Sequence, residues 1–265
     1  MIRSELWNKF RNAMKKSKFS PNNYWIERAG TKGMRSVGLR SFSDATNRYL
    51  YEKNKIIFSK VLSMLKIGTH ESILDAGAGI GIYTRHLYSH GYKNIIAVDI
   101  SRAALLQIDI PVPTVVASLE ELTRSVRQRF HLVYCFDVLY HIIDDENFAT
   151  AIQQLSAVSE RYIIIHGLFP LLFTVQLTKH ARFRKLKLYD TLLAKHGFQR
   201  IGFEPTSFVA LRLTTYRFFS LAPRLFYTLD QKLVCLLKIV HLEFLASHKI
   251  LIYEKSDKDT AVLVD

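Results

Sequence analysis

Three glycines stand at every second position, Gly77, Gly79 and Gly81, just after an acid, Asp75, near the end of a short apolar run. Glycines so spaced let the backbone turn sharply and keep side chains out of the way of a ligand, so the loop could cradle a nucleotide-like molecule. The dinucleotide pattern Gly-x-Gly-x-x-Gly beginning at Gly77 would require glycine at position 82, where Ile82 stands. A phosphate-binding loop would end in Lys-Ser or Lys-Thr, and no such pair follows. A carboxylate at Asp75 would repel a pyrophosphate and suits a ligand carrying positive charge. Asp99 follows Gly77 by 22 residues, about where an acid that holds ribose hydroxyls is expected. A glycine turn without a ligand, in some other α/β protein, is the plain alternative from the loop alone.

The elements that would position these residues are legible as alternating apolar runs and helical stretches. Residues 82–87 carry no helix breaker, so the glycines join a strand from Ile73, with Asp75 at its end, to a helix. Further apolar runs at 94–100, 113–118, 130–136 and 161–166 read as strands, with helical spacing between them. Strands alternating with helices give parallel βαβ units, and hence a doubly wound α/β sheet. Ser43 or Asp44 caps a long helix predicted over 43–65, with Gly68 after its end. A helix over 185–195 stops at Gly197, and a sixth strand follows at 198–203. Residues 205–247, rich in Leu, Phe, Tyr and Val, are long for a connector and read as a helical insertion covering the site. The expected division is a helical N-terminal extension over 1–66 and a main domain over 67–265. Residues 2–18 have the pattern of a basic amphipathic helix, with Leu6, Trp7, Phe10 and Met14 near one face, packed on the domain or lying on lipid.

The phrase Asp75-x-Gly77-x-Gly79-x-Gly81 resembles motif I of the class I, Rossmann-like methyltransferases that use S-adenosyl-L-methionine. The run Phe130 to Phe136, leading into Asp137-Val-Leu-Tyr140-His141, is similar to the segment that closes the fourth strand in that family. The likeness covers residues 71–203 well and extends to the last strand, 249–254, and to phrases around Tyr24 and His180 that bacterial-type members share. It implies a mostly parallel seven-stranded sheet whose final strand is antiparallel, between the fifth and sixth. It also implies cofactor contacts from Asp75, Gly77, Ala78, Gly79, Gly81, Asp99, Ile100, Ser118, Leu119 and Phe136, with Arg28 on the cofactor's carboxylate. Ser118 stands where the family more often has Asp, which implies an adenine contact that is weaker or made through the backbone.

Methyl transfer from a sulfonium is an in-line displacement, so the protein must bind the cofactor, aim the acceptor and exclude water. Asp137, Tyr140 and His141 fall at the carboxyl edge of the sheet, where ligands bind, and His166 ends the fifth strand. His141 and His166 are the candidate bases, because an unperturbed imidazole titrates in the useful range. Tyr24, Tyr140, His180 and Arg184 are candidate substrate contacts, the arginine forks at 182 and 184 suiting an anionic group. Local packing is the alternative for each histidine, and a solvated basic stretch for the arginines.

Charge is unevenly placed: the net is +11 over 1–66, −4 over 67–166 and +7 over 167–265, for +14 in all. Basic flanks around a mildly acidic cofactor half would draw an anionic partner. A small-molecule, saccharide- or lipid-linked acceptor methylated on O or N is the leading expectation. An RNA methyltransferase is the second, disfavoured by the lack of an RNA-binding module or stacking platform. A non-catalytic partner subunit is the third, disfavoured by the intact Asp75, glycines and Asp99. No CxxC pair or metal-ligand spacing is present, and Cys135 and Cys235 read as buried thiols of a reducing, cytoplasmic compartment. No signal peptide or membrane span is expected; peripheral membrane contact stays open.

Overall fold

Strand β1 (Ile73–Ala76) is buried along its whole length, and the rest of the sheet is arranged around it. The computed structural model describes residues 21–31, 33–38, 42–171, 173–207 and 222–256. The predicted helix over 2–18 lies outside these.

Before β1 come α1 (Pro21–Ala29), a single turn α2 (Met34–Val37) and the long α3 (Asp44–Met64). Ser43 starts α3: its hydroxyl accepts from the Thr46 amide, satisfying one of the donors that a helix N-terminus leaves unpaired. Strands and helices then alternate: α4 (Ile82–Ser89), β2 (Ile95–Asp99), α5 (Arg102–Leu105), β3 (Thr114–Val116), α6 (Leu122–Ser125), β4 (Phe130–Phe136), α7 (Asp145–Val158) and β5 (Ser159–Leu168). A hairpin follows, β6 (Val175–Thr178) with β7 (Ala181–Phe183), then α8 (Leu186–Ala194), β8 (Phe198–Ser207), α9 (Pro223–Ile239) and β9 (His248–Lys255).

The main sheet has seven strands in the order β3-β2-β1-β4-β5-β9-β8. The pairs among β1 to β5 are parallel, and β9 runs antiparallel between β5 and β8. This is the doubly wound, mostly parallel sheet with an antiparallel last strand that the sequence implied. Parallel strands need both faces covered, and each face has its own core. On one, Leu122, Phe148, Ile152, Leu155, Tyr189 and Leu193 pack over β4 and β5. On the other, Phe58, Val61 and Leu62 of α3 join Tyr83 and Leu87 of α4.

Three local readings change. The β6–β7 hairpin is absent from the sequence reading, because its polar residues carry little strand pattern. β8 runs on through Ser207, admitting Pro205 because it is an edge strand with an irregular register there. Cys135 is buried as expected, but Cys235 is exposed, since α9 turns that face outward. Among the described residues, no helix is long and apolar enough to cross a membrane.

Candidate active site

The glycine loop hangs from the end of β2. The Gly77 and Ala78 amides both donate to the Val98 carbonyl, at 2.8 and 2.9 Å, and the Gly79 amide donates to Asp99 Oδ2 at 2.8 Å. All three glycines have positive φ, a backbone region that other residues rarely adopt. A Cβ on Gly77 would lie 2.3 Å from Val138 Cγ2, so this glycine lets the segment after β4 close against the loop. Gly81 caps α4 in the left-handed conformation.

Above the loop lies a cavity of about 160 Å³. Gly77, Ala78, Gly79, Asp99, Ile100, Ser118, Leu119 and Phe136, all expected cofactor contacts, line it together with Asp137, Tyr140 and His141. Trp25, Val37, Tyr51, Tyr83 and Glu120 also line it. No sequence signal marks Tyr51 or Tyr83 as cavity residues, because only helix packing turns them inward. Asp99 is held by two backbone amides, Gly79 on Oδ2 and Ser101 on Oδ1 at 2.8 Å. Each carboxylate oxygen has a second lone pair, so the group can still accept from a diol. Burial pushes the Asp99 carboxyl up, against the pull of those amides.

Asp75 and Gly81 lie elsewhere than expected. Asp75 is buried beneath the loop, where the Thr84 hydroxyl donates to its Oδ2 at 2.6 Å. It ties β1 to α4 and is not part of the lining; burial raises its carboxyl to about 7 despite the Thr84 bond. Gly81 likewise makes room for Ile108, which a Cβ would meet at 2.7 Å, and not for a ligand.

The N-terminal helix closes one wall. Tyr24 stacks on His180 at 4.7 Å, and Trp25 lies 4.4 Å from the His141 ring, which lies 4.3 Å from Tyr140. Trp25 Nε1 is buried and has no hydrogen-bond partner among the described residues. Arg28 is buried, its guanidinium 4.8 Å over the Trp25 ring and donating to the Gly38 carbonyl. That places it behind the wall, outside the lining. His141 Nδ1 donates to the His180 carbonyl at 2.7 Å. Burial lowers its imidazole to about 4, so the ring is neutral at physiological pH.

Arg184 is also displaced from its expected role. Fully buried, it donates to the carbonyls of Ile142, Ile143 and Asp144 and to Asp145, clamping the segment between β4 and α7. Four acceptors in that segment take its fork, so it does not face an acceptor molecule. Arg182 is held by the same segment, through Ile143 and Asp145.

At the far end of the cavity, Asp137 has a φ of 60°, a strained conformation for a residue with a side chain. His166 Nδ1 donates to its Oδ2 at 2.9 Å, and His166 Nε2 lies 3.0 Å from the Thr206 hydroxyl. The Tyr140 hydroxyl approaches Asp137 Oδ1 at 3.4 Å. Burial pushes the Asp137 carboxyl up, but His166, with His248 and His141, more than offsets this and holds it below the usual carboxylate range. The neighbouring Tyr51, Tyr83 and Tyr140 phenols are pushed up, first by burial and then by the Asp137 charge. This end of the cavity thus sets the Asp137 carboxylate among neutral hydroxyls. Sequence reasoning placed Asp137 and His166 at neighbouring strand ends without joining them; the β4–β5 register, Phe136 beside His166, brings them together.

A family model described as a methyltransferase domain matches residues 47–207, more than half of the chain. The protein belongs to this methyltransferase family. It is an enzyme of the class that uses S-adenosyl-L-methionine, and the glycine cradle and Asp99 are consistent with that group. No curated protein matches the sequence significantly. Among solved structures, magnesium protoporphyrin IX methyltransferase from Synechocystis PCC 6803 with bound cofactor is 16% identical, with a TM-score of 0.61 over 91% of this chain and 100% of that one. A methyltransferase from Clostridium acetobutylicum is 12% identical, with a TM-score of 0.52 over 78% and 92%. An O-methyltransferase of a polyketide synthase from Brevibacillus brevis is 14% identical, with a TM-score of 0.51 over 70% and 67%. At such identities the methyltransferase shares their fold, and its acceptor must be argued from its own residues.

Proposed function

We propose that this methyltransferase modifies a hydroxyl or amine of a small-molecule, saccharide- or lipid-linked acceptor, with Asp137 receiving the acceptor's proton. The observation that carries this reading is the Asp137–His166 pair at the cavity's edge. S-adenosyl-L-methionine, when bound, supplies an electrophilic methyl group. Asp99 would accept from its ribose hydroxyls, and Gly77, Ala78 and Gly79 would carry it on bare backbone. Ser118 and Leu119 would border its adenine. Asp137 would accept a hydrogen bond from the acceptor's O–H or N–H, orienting a lone pair for in-line displacement. As the acceptor's lone pair would form the new bond to carbon, the sulfur–methyl bond would break with its electron pair left on sulfur, giving S-adenosylhomocysteine, and the acceptor's proton would pass to Asp137. His166 keeps that carboxylate in place through Nδ1–H, and Thr206 fixes the imidazole's other nitrogen.

Neither histidine serves as well as the base. His141 is packed between the Trp25 and Tyr140 rings with its Nδ1 on the His180 carbonyl, and His166 stands behind Asp137, outside the lining. The charged side chains of the described lining, Asp99, Glu120 and Asp137, are all acidic. This favours a neutral or cationic acceptor over the anionic one that the basic flanks suggested. Tyr24 and His180, stacked on the wall outside the lining, would shape its entrance.

The test is transfer of labelled methyl groups to panels of hydroxylated and amine metabolites, glycolipids and total RNA. Counts should enter an alcohol or amine acceptor, and Asp137→Asn should lower the turnover about 10²- to 10³-fold while cofactor binding persists. Transfer confined to RNA, or a wild-type rate for Asp137→Asn, contradicts the reading.

A further inference from the structure

Helix α9 is turned inside out. Three of its polar residues face the protein: Asp230 accepts from the Ser207 hydroxyl, Gln231 donates to the Thr206 carbonyl, and Lys238 pairs with Glu204. Tyr227 and Val234 complete the buried side. The opposite side carries Leu225, Leu229, Leu233, Leu236, Ile239 and Val240, between 37% and 75% exposed. At 100° per residue these fall within one broad stripe about two and a half turns or more long. Phe244, half exposed in the turn that follows, continues it. An ordinary surface helix points its apolar residues inward, and an exposed patch of this extent marks a surface that is covered in use.

The charges on that side decide what covers it. Lys232 stands within the stripe and Arg224 at its margin, both exposed. The one acid of α9, Asp230, is turned inward. Pressed against a second copy of itself, the stripe would bury Lys232 with no carboxylate of the same face to pair it. On a bilayer, the lysine stem can lie along the leucines while its ammonium reaches a phosphate. Across 208–247 the sequence has five Lys or Arg and two acids.

We propose that the outer face of α9 docks the enzyme on an anionic phospholipid surface, its leucines entering the headgroup boundary. Docking would bear directly on the site, because α9 holds the strand that positions His166. Gln231 and the Tyr227 hydroxyl both donate to the carbonyl of Thr206, whose hydroxyl meets His166 Nε2. The inference does not depend on which acceptor is methylated.

Flotation of the full chain with vesicles tests it. The protein should float with phosphatidylcholine–phosphatidylglycerol vesicles, weakly with phosphatidylcholine alone, and less as salt rises. Leu229→Glu with Leu236→Glu should lower binding at least about tenfold while the circular dichroism melt is unchanged, since both side chains are exposed. Exposed Cys235, labelled with an environment-sensitive thiol dye, should blue-shift on the anionic vesicles. Failure of the wild type to float with either vesicle overturns the proposal, as does undiminished binding by the folded double variant. A concentration-dependent dimer that the double variant abolishes, without vesicle binding, would assign the stripe to self-association instead.

Discussion

Asp75 and Asp137 are both buried carboxylates, and their surroundings set them to opposite states. Asp137 has an imidazole N–H at 2.9 Å and stays ionised below the usual range, whereas Asp75 has neutral donors, the Thr84 hydroxyl at 2.6 Å first among them, and burial raises it to about 7. A raised folded-state pKa means that the folded protein holds a proton that the unfolded chain has lost. Asp75's contribution to stability is therefore fully present below about pH 4 and falls as pH rises toward about 7. Asp75→Asn keeps an acceptor for Thr84 and removes that dependence. Its melting temperature should exceed the wild type's at pH 8 and not at pH 4, as read by calorimetric scans; equal pH dependence in the two proteins would refute the assignment. Which acid is a brace and which faces the cavity was not legible in the sequence, where both follow apolar runs. Burial and the partner across the sheet make the difference, and both are tertiary facts.

At the level of elements, the glycine loop works because its neighbours pack into the spaces its glycines leave. Gly77→Ala would drive a Cβ into Val138 and oppose a φ of 93°. Cofactor affinity should fall by about tenfold or more. Adding Val138→Ala should restore only part of it, since the φ strain remains; calorimetric titration of both variants checks this. The segment after β4 depends similarly on Arg184. Arg184→Met would leave the carbonyls of Ile142, Ile143 and Asp144 without this donor, at a cost of about 3 kcal/mol. The melting point should drop by about 6–12 °C, and a drop under 2 °C would mean the clamp is dispensable. The strands, their order and the long helix were readable because apolar runs and caps encode them locally. The arginines at 182 and 184 were misread because a basic pair looks the same whether it faces solvent or closes a loop. Only the hairpin places them.

Over the whole molecule, a familiar sheet carries two features that its charge balance alone misrepresents. The chain is strongly basic, yet the charged residues of the described cavity lining are acids. Much of the exposed apolar surface lies on one helix that shares a strand with the site. Among the described residues, 222–247 contribute nothing to the cavity lining; α9 packs instead on β8 and α3. This described part of the insertion therefore does not cover the site. All of this presupposes that the cavity holds S-adenosyl-L-methionine through Asp99. The most direct test is calorimetric titration of the wild type and Asp99→Ala with S-adenosyl-L-methionine and with S-adenosylhomocysteine. The account predicts that both ligands bind the wild type and that Asp99→Ala loses about tenfold or more in affinity for each. Unchanged affinity in a folded Asp99→Ala protein would contradict it.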